Sequence, residues 1–156
     1  MTVAICPVRP DSRGTILAKS ADALEYPEIQ AGYLTAERDL YVMKAGLEHV
    51  RRIFAQPALA RHSLGETLPT SAVASDGDLF EFFRRTGGTL FHPVGTCRMG
   101  EDPDAVVDSR LRVRGISGLR VVDASIMPTL TTGNTNAPTI MIGEKGAAMI
   151  REDART

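Results

Sequence analysis

The chain has 156 residues, of which 43% are hydrophobic and 24% charged, and its formal net charge at pH 7 is -1. This composition is typical of a globular protein, and a chain of this length can bury a core. The charge argues against a nucleic-acid-binding protein, since such proteins carry clusters of lysine and arginine. No apolar stretch approaches the ~18 residues of a membrane span. Met1–Pro10 has no secretory-signal pattern, so we expect a cytoplasmic location.

Two cysteines and three histidines are scattered along the chain, which does not indicate a disulfide framework. We expect Cys6 and Cys97 to be reduced thiols, as is usual in intracellular proteins. The spacing from His92 to Cys97 is not typical of zinc ligands, so no metal is expected.

The first part of the chain is predicted to hold a short strand and one long helix. A turn at Arg9–Gly14 leads into a strand at Thr15–Ala18, and the polar residues Ser20–Thr35 are expected to form a loop. From Ala36 to Gln56, apolar residues recur at spacings of three and four, which predicts a helix with one buried face. Pro57 is expected to end this helix, because proline interrupts its hydrogen bonds.

A second helix is predicted at Asp76–Arg85. Ser75 precedes it and Asp78 follows three residues later, a pattern typical of a capping box at a helix start. We expect plain core packing from the apolar residues of its buried face, which are Leu79, Phe82 and Phe83.

Residues 86–139 are rich in glycine, proline and threonine, which predicts turns and short strands. One strand is expected at Leu119–Val122. The last helix is predicted to begin near Pro138, because proline is tolerated as a first helical residue, and to end near Ile150.

The loop Phe91–Gly100 is the first candidate site. His92 is followed by Pro93, with glycines three and eight residues further on, so it is expected on a shaped loop rather than a helix. Histidine takes up and releases protons near neutral pH. These residues alone leave two alternatives open, a functional histidine or a loop histidine bonded to the backbone. His49 and His62 lie in polar surroundings and are expected to be structural or surface histidines.

The second candidate site is a run of small polar residues that leads from Asp123 into the last helix. Asn134 or Asn136 could cap that helix through its side chain. Alternatively, the backbone donors and positive dipole of the helix start could stabilise negative charge, such as that on the N1–C2=O end of a reduced flavin. Both interpretations are open from the residues alone.

The signatures of several other enzyme classes are missing from the sequence. There is no G-x-S-x-G elbow of a serine hydrolase, no phosphate-binding loop ending in lysine, and no evident pair of glycosidase carboxylates. The G-x-G-x-x-G fingerprint of dinucleotide-binding domains is also missing.

Five blocks of this sequence resemble the C-terminal half of the glucose–methanol–choline (GMC) oxidoreductases, in particular the choline and alcohol dehydrogenase branch. The blocks follow the family's order, and from the first to the last they span almost the whole chain. They are Arg9–Gly14, His92–Gly100, Val107–Val113, Gly118–Pro128 and Gly133–Lys145.

The resemblance implies an FAD-dependent oxidation of a primary alcohol to its aldehyde. The position of His92 is that of the family's base, which takes the hydroxyl proton of the alcohol while hydride passes to flavin N5. The position of Asn134 is that of a second active-site residue, which holds the substrate oxygen by a hydrogen bond. The substrate would be a small alcohol whose identity the blocks do not specify.

The resemblance also implies that the FAD site is incomplete in this chain. The family's glycine-rich fingerprint lies in an N-terminal half that this sequence lacks, so we expect that half as a partner, in the same chain or in a second one. Positions that contact FAD in the family correspond here to Asp123, Ala124, Asn136, Ala137 and Pro138.

The implied fold class is α+β. Residues 1–117 would form a substrate-binding region, an antiparallel sheet with helices that carries the histidine loop. Residues 118–156 would supply a strand and a helix that complete the FAD-binding α/β domain of the N-terminal half. The chain by itself is expected to be catalytically inactive and to expose an apolar face. The alternative is a non-catalytic fragment or binding module that retains the fold.

Overall fold

The N-terminal turn leads into a small antiparallel sheet. In the computed structural model, which describes residues 1–69, 73 and 75–155, β1 spans Thr15–Leu17 and β2 spans Glu28–Gln30, with Ile16 opposite Ile29. β1 confirms the predicted strand to within one residue. β2 lies inside the segment 20–35, which was predicted to be a loop throughout, and that prediction was wrong for these residues. A three-residue strand has too few positions for a periodic pattern, and only its pairing with β1 defines it.

The predicted helices of this part of the chain are confirmed, with small changes at their ends. α1 spans Glu37–Phe54, and α3 spans Asp76–Thr86. Ser75 caps α3 as predicted, because its hydroxyl accepts the N–H of Asp78 at 3.2 Å. Pro57 does not simply end α1 but begins a short helix, α2, at Pro57–Ala60. A proline tolerates that first position because its missing N–H would have no acceptor there.

Asp39 fastens the N-terminal turn to the start of α1. Asp39 is only 1% exposed, and its carboxylate accepts hydrogen bonds from the N–H of Asp11 at 2.9 Å and from the N–H of Ser12 at 2.8 Å. Burial raises the pKa of this carboxyl, but the hydrogen bonds from Ser12 and Asp11 outweigh burial, so the pKa lies below its ordinary value. This buried carboxylate gives the turn a fixed place against the helix.

The core of this part of the chain lies between α1 and α3. Leu47 of α1 packs with Leu79 and Phe83 of α3, and all three are buried. Phe82, predicted for the same face, is only partly buried. Residues Met1–Gly88 together form one compact unit.

A second compact unit begins at Thr89 and has almost no regular sheet. Its extended segments are joined by isolated bridges, in which Val107 pairs with both Met99 and Val113, and Arg112 pairs with Arg120. The strand predicted at 119–122 is therefore wrong. Arg120 makes one bridge with Arg112, and the two hydrogen bonds that form this bridge, from Val113 to Leu119 and from Val121 to Leu111, do not extend into a ladder.

The last helix, α4, spans Asn136–Asp153 and packs on the centre of this unit. It begins two residues before the predicted start, so Pro138 is its third residue and not its first. That position tolerates proline equally well, because the first four N–H groups of a helix have no acceptor within it. Ile142 of α4 is buried in a core whose other fully buried members are Val107, Leu111, Ile126 and Met127.

The architecture is thus mixed, with helices and one small antiparallel sheet, in coarse agreement with the predicted α+β class. The division predicted at residue 118 concerns the complete enzyme and stays a prediction. No helix within the described residues has the length and apolar character that a membrane crossing requires. Among the same residues, no group of three or more histidine, cysteine or acidic side chains is arranged to hold a metal ion.

Candidate active site

The two loops singled out in the sequence lie against each other in the second unit. A single 3-10 turn at Ala124–Ile126 follows Asp123. The histidine loop runs along this turn, where the N–H of Cys97 donates to the carbonyl of Ser125 at 3.0 Å and that of Met99 donates to Ile126 at 2.8 Å. Two segments that are distant in sequence are therefore held together by main-chain hydrogen bonds.

Gly95 lets the histidine loop approach this turn. Its φ of 90° lies in the left-handed region that favours glycine, and a Cβ there would come within 3.3 Å of the Met127 carbonyl oxygen.

Further along the loop, the guanidinium of Arg98 binds both carboxylate oxygens of Asp102, at 2.8 and 2.6 Å. This hydrogen-bonded ion pair lowers the pKa of Asp102 to about 2.

Asp123 is exposed, and its carboxylate is used by its own turn. One oxygen accepts the N–H of Ser125 at 2.8 Å and the Ser125 hydroxyl as well. The side chain thus caps the 3-10 turn, whose first residue, Ala124, is partly buried.

His92 lies directly beside the start of α4. Its Nδ1 is 3.0 Å from the hydroxyl oxygen of Thr135, and the imidazole is partly buried. Nε2 makes no hydrogen bond to any part of the chain that the structure describes. The other two histidines differ, since His49 and His62 are exposed and each contacts an arginine side chain, in agreement with their expected surface roles.

Thr135 is the N-cap residue of α4 and is 8% exposed. The prediction that Asn134 or Asn136 caps this helix was wrong, because Asn134 precedes the cap and Asn136 is the first helical residue. No side chain caps the helix, and the Thr135 hydroxyl contacts His92 instead. Sequence reasoning assigned no role to Thr135. A usable signal was Pro138, three residues later, which lacks the N–H that a capping threonine often binds.

The start of α4 differs from the starts of α1 and α3 in its lack of acidic side chains. Asn134, Asn136 and Ala137 are exposed, and Pro138 is partly buried. The first turn of α4 has no acidic residue, whereas α1 and α3 each have two. Its positive end is therefore not balanced by a nearby carboxylate of that turn, which suits it to negative charge.

Comparison with known proteins identifies the family. The sequence model of the GMC oxidoreductases matches residues 10–143. The chain belongs to the GMC oxidoreductase family. This agrees with the resemblance of the five sequence blocks, since the match extends over nearly all of them.

Two curated members of the family are similar in sequence. The chain is 50% identical to an alcohol dehydrogenase [acceptor] of Pseudomonas putida over 149 residues, which are 96% of this chain and 27% of that protein. It is 48% identical to an oxygen-dependent choline dehydrogenase of Pectobacterium carotovorum over 92% of this chain and 26% of that protein. The chain thus spans about a quarter of the length of these curated relatives.

Two solved structures share the fold of this chain over part of their own length. Pyridoxine 4-oxidase from Mesorbium loti matches with a TM-score of 0.86 and 38% sequence identity, over 93% of this chain and 28% of that one. A formate oxidase matches with a TM-score of 0.87 and 30% identity, over 95% of this chain and 26% of that one. The similarity covers both compact units and again only part of the larger protein.

Proposed function

We propose that this chain is the C-terminal portion of an FAD-dependent oxidoreductase that oxidises a primary alcohol to the aldehyde, with His92 as the base that takes the hydroxyl proton. The observation that carries the proposal is the environment of His92. One imidazole nitrogen contacts Thr135, and the other, Nε2, has no partner in the described chain. A half-buried histidine with one anchored and one available nitrogen is suited to general base catalysis.

The start of α4 supports FAD as the cofactor. Its first turn has no acidic residue, and no side chain caps its backbone donors. We propose that Asn136, Ala137 and Pro138 contact the pyrimidine end of the flavin, and that the main chain of Asp123 and Ala124 contacts its phosphate and ribityl region. FAD, when bound, supplies the hydride acceptor of the reaction.

The residues of this chain would then handle the proton. In the proposed reaction the alcohol O–H proton moves to Nε2 of His92 as the C–H bond breaks and its electron pair leaves as hydride. Asn134, exposed beside Thr135, would donate its amide N–H to the substrate oxygen, where negative charge develops. An amide can donate in this way without competing for the proton.

The proposed partner is an N-terminal FAD-binding half, in the same polypeptide or in a second one. The limited coverage of the relatives supports this, since the chain matches 27% and 26% of their lengths. Ile140 and Met141, in the first two turns of α4, are 60% and 58% exposed. Such side chains would be covered if the missing half packs against this helix.

The test uses this chain joined to the N-terminal portion of a full-length family member, so that FAD is bound. His92→Ala should lower the rate of anaerobic flavin reduction by an alcohol about 10²–10⁴-fold, the range that a general base contributes. His49→Ala is the matched control, because His49 is an exposed histidine on α1, and its rate should not change.

The absorbance of bound flavin separates the outcomes. An unchanged rate in His92→Ala with FAD retained would disprove the role as base and favour a non-catalytic chain. Loss of FAD together with activity would assign His92 a structural role. Asn134→Ala should also slow flavin reduction, and an unchanged rate would remove Asn134 from the proposal.

A further inference from the structure

The hydroxyl of Thr135 is the one side-chain partner of His92 in the described part of the chain. Its oxygen lies 3.0 Å from Nδ1, although the two residues are 43 positions apart. We propose that Thr135 is a positioning residue, which accepts the Nδ1 proton of His92 and so keeps the lone pair on Nε2. This inference rests on the proposed role of His92 as base, and it identifies Thr135 as the group that keeps the imidazole in the tautomer that this role requires.

The direction of this hydrogen bond decides whether Nε2 can act as a base. A neutral imidazole carries one proton, and the nitrogen without it is the acceptor. If the Thr135 hydroxyl donated to Nδ1, the proton of His92 would lie on Nε2, which could not accept another while neutral. If Nδ1–H donates to the hydroxyl oxygen, Nε2 holds the lone pair and can take a proton from a substrate.

The helix start leaves the Thr135 oxygen available for this purpose. A capping threonine normally accepts the N–H of the second or third helical residue, which here are Ala137 and Pro138. Proline has no N–H, so the third residue cannot compete for the oxygen. The side chain makes no capping hydrogen bond, and among the described residues His92 is the one partner of its hydroxyl.

The position of Thr135 is also fixed by its own main chain. Its carbonyl oxygen accepts both the N–H of Thr139 at 3.0 Å and the hydroxyl of Thr139 at 2.6 Å. The residue is 8% exposed, and a β-branched side chain has few accessible rotamers. The hydroxyl is therefore held at a constant place relative to the imidazole, as a positioning group requires.

The ring nitrogens can be observed directly by 15N NMR of the full 156-residue chain with labelled histidine. At about pH 8.5 histidines are neutral, and the spectrum distinguishes a ring N–H from a nitrogen with a lone pair. The other two histidines serve as references of opposite kind. An arginine side chain can only donate a hydrogen bond, so the ring nitrogen that it contacts must be the one without a proton. Arg52 contacts Nδ1 of His49, so the ring proton of neutral His49 is expected on Nε2. Arg61 contacts Nε2 of His62, so the ring proton of neutral His62 is expected on Nδ1.

In the unmodified chain, His92 should carry its proton on Nδ1, like His62. Loss of one set of signals in His92→Gln assigns the resonances. A His92 protonated on Nε2, like His49, would overturn the proposal outright, because it means that Thr135 donates. This measurement needs no variant of Thr135 and no bound cofactor.

The variants Thr135→Val and Thr135→Ser test the hydroxyl itself. Valine keeps the branched shape without the acceptor and should lower the ratio of the Nδ1–H to the Nε2–H form of His92 about two- to tenfold, the worth of one hydrogen bond. Serine retains the hydroxyl and should restore the ratio. An unchanged ratio in Thr135→Val, with the amide spectrum of α4 intact, would overturn the proposal.

Flavin reduction in the complemented enzyme separates this inference from the proposed function. Thr135→Val should slow it by a similar two- to tenfold factor, far less than His92→Ala. If His92→Ala is inactive and Thr135→Val equals the unmodified enzyme in rate and in tautomer, the base remains and the positioning role fails. If His92→Ala is fully active, the proposed function fails, whatever the tautomer of His92.

Discussion

Gly146 in α4 touches the segment that precedes the proposed flavin-contacting turn, and an added methyl group there should have a measurable cost. A Cβ at Gly146 would lie 2.3 Å from Cγ1 and 3.2 Å from Cγ2 of Val122, the residue before Asp123. Gly143, one turn earlier, has nothing within 4 Å of the corresponding position. The same glycine-to-alanine substitution would therefore clash with a neighbouring side chain at position 146 and have free space at position 143 of the same helix.

The magnitudes follow from two opposing effects. Alanine is favoured over glycine inside a helix by about 0.8–1 kcal/mol, so Gly143→Ala should raise the free energy of unfolding by that amount. Gly146→Ala has the same gain but must displace Val122, and overpacking of this kind costs about 1–3 kcal/mol. We expect Gly146→Ala to be less stable than Gly143→Ala by about 1–3 kcal/mol.

Val122→Ala should reverse the sign of the effect. It removes both atoms that a Cβ at 146 would overlap, and the nearest one left is the Cβ of residue 122 at 3.4 Å, an ordinary contact. In the Val122→Ala background, Gly146→Ala should therefore stabilise by about 0.8–1 kcal/mol, as at position 143. The coupling free energy of the two substitutions should be about 1–3 kcal/mol.

Urea unfolding of the four proteins of this cycle and of Gly143→Ala, followed by circular dichroism, measures these differences, and hydrogen exchange in α4 reports them locally. Equal stability of Gly143→Ala and Gly146→Ala, or a coupling free energy near zero, would refute the close approach of α4 to Val122. In the complemented enzyme, Gly146→Ala should also weaken FAD retention, since a displaced Val122 moves Asp123.

Other substitutions test the remaining parts of the structure. Asp39→Asn replaces an acceptor by a donor facing the N–H of Ser12, so urea unfolding should show a loss of about 1–3 kcal/mol. Because the folded pKa of Asp39 is lowered, its contribution is present above the unfolded pKa and should disappear as the pH falls through the folded value. The Asp102 carboxyl should titrate near pH 2 by NMR and return toward 3.8 in Arg98→Met, and an unchanged midpoint would contradict the ion pair. Ser75→Ala should destabilise α3 by about 1 kcal/mol in urea, whereas Ser75→Gly should cost only a few tenths.

The helices could be predicted because local patterns define them. The apolar spacing in α1 and the capping residue Ser75 before α3 can each be recognised within a short segment of the sequence. Both helices lie where they were predicted. β2 and the segment at 119–122 could not be predicted correctly, because their hydrogen bonds depend on which distant segment lies beside them.

The sequence by itself determined the family and the loop that carries His92. It also determined that no glycine-rich dinucleotide fingerprint is present, because these are properties of residue order alone. Only the tertiary structure decided what surrounds His92. The predicted caps Asn134 and Asn136 were plausible residue types, but Thr135 occupies the cap and directs its hydroxyl to a ring 43 residues away. Such a contact leaves no periodic trace in the chain, because it exists only after core packing has offset the entropy of bringing the two segments together.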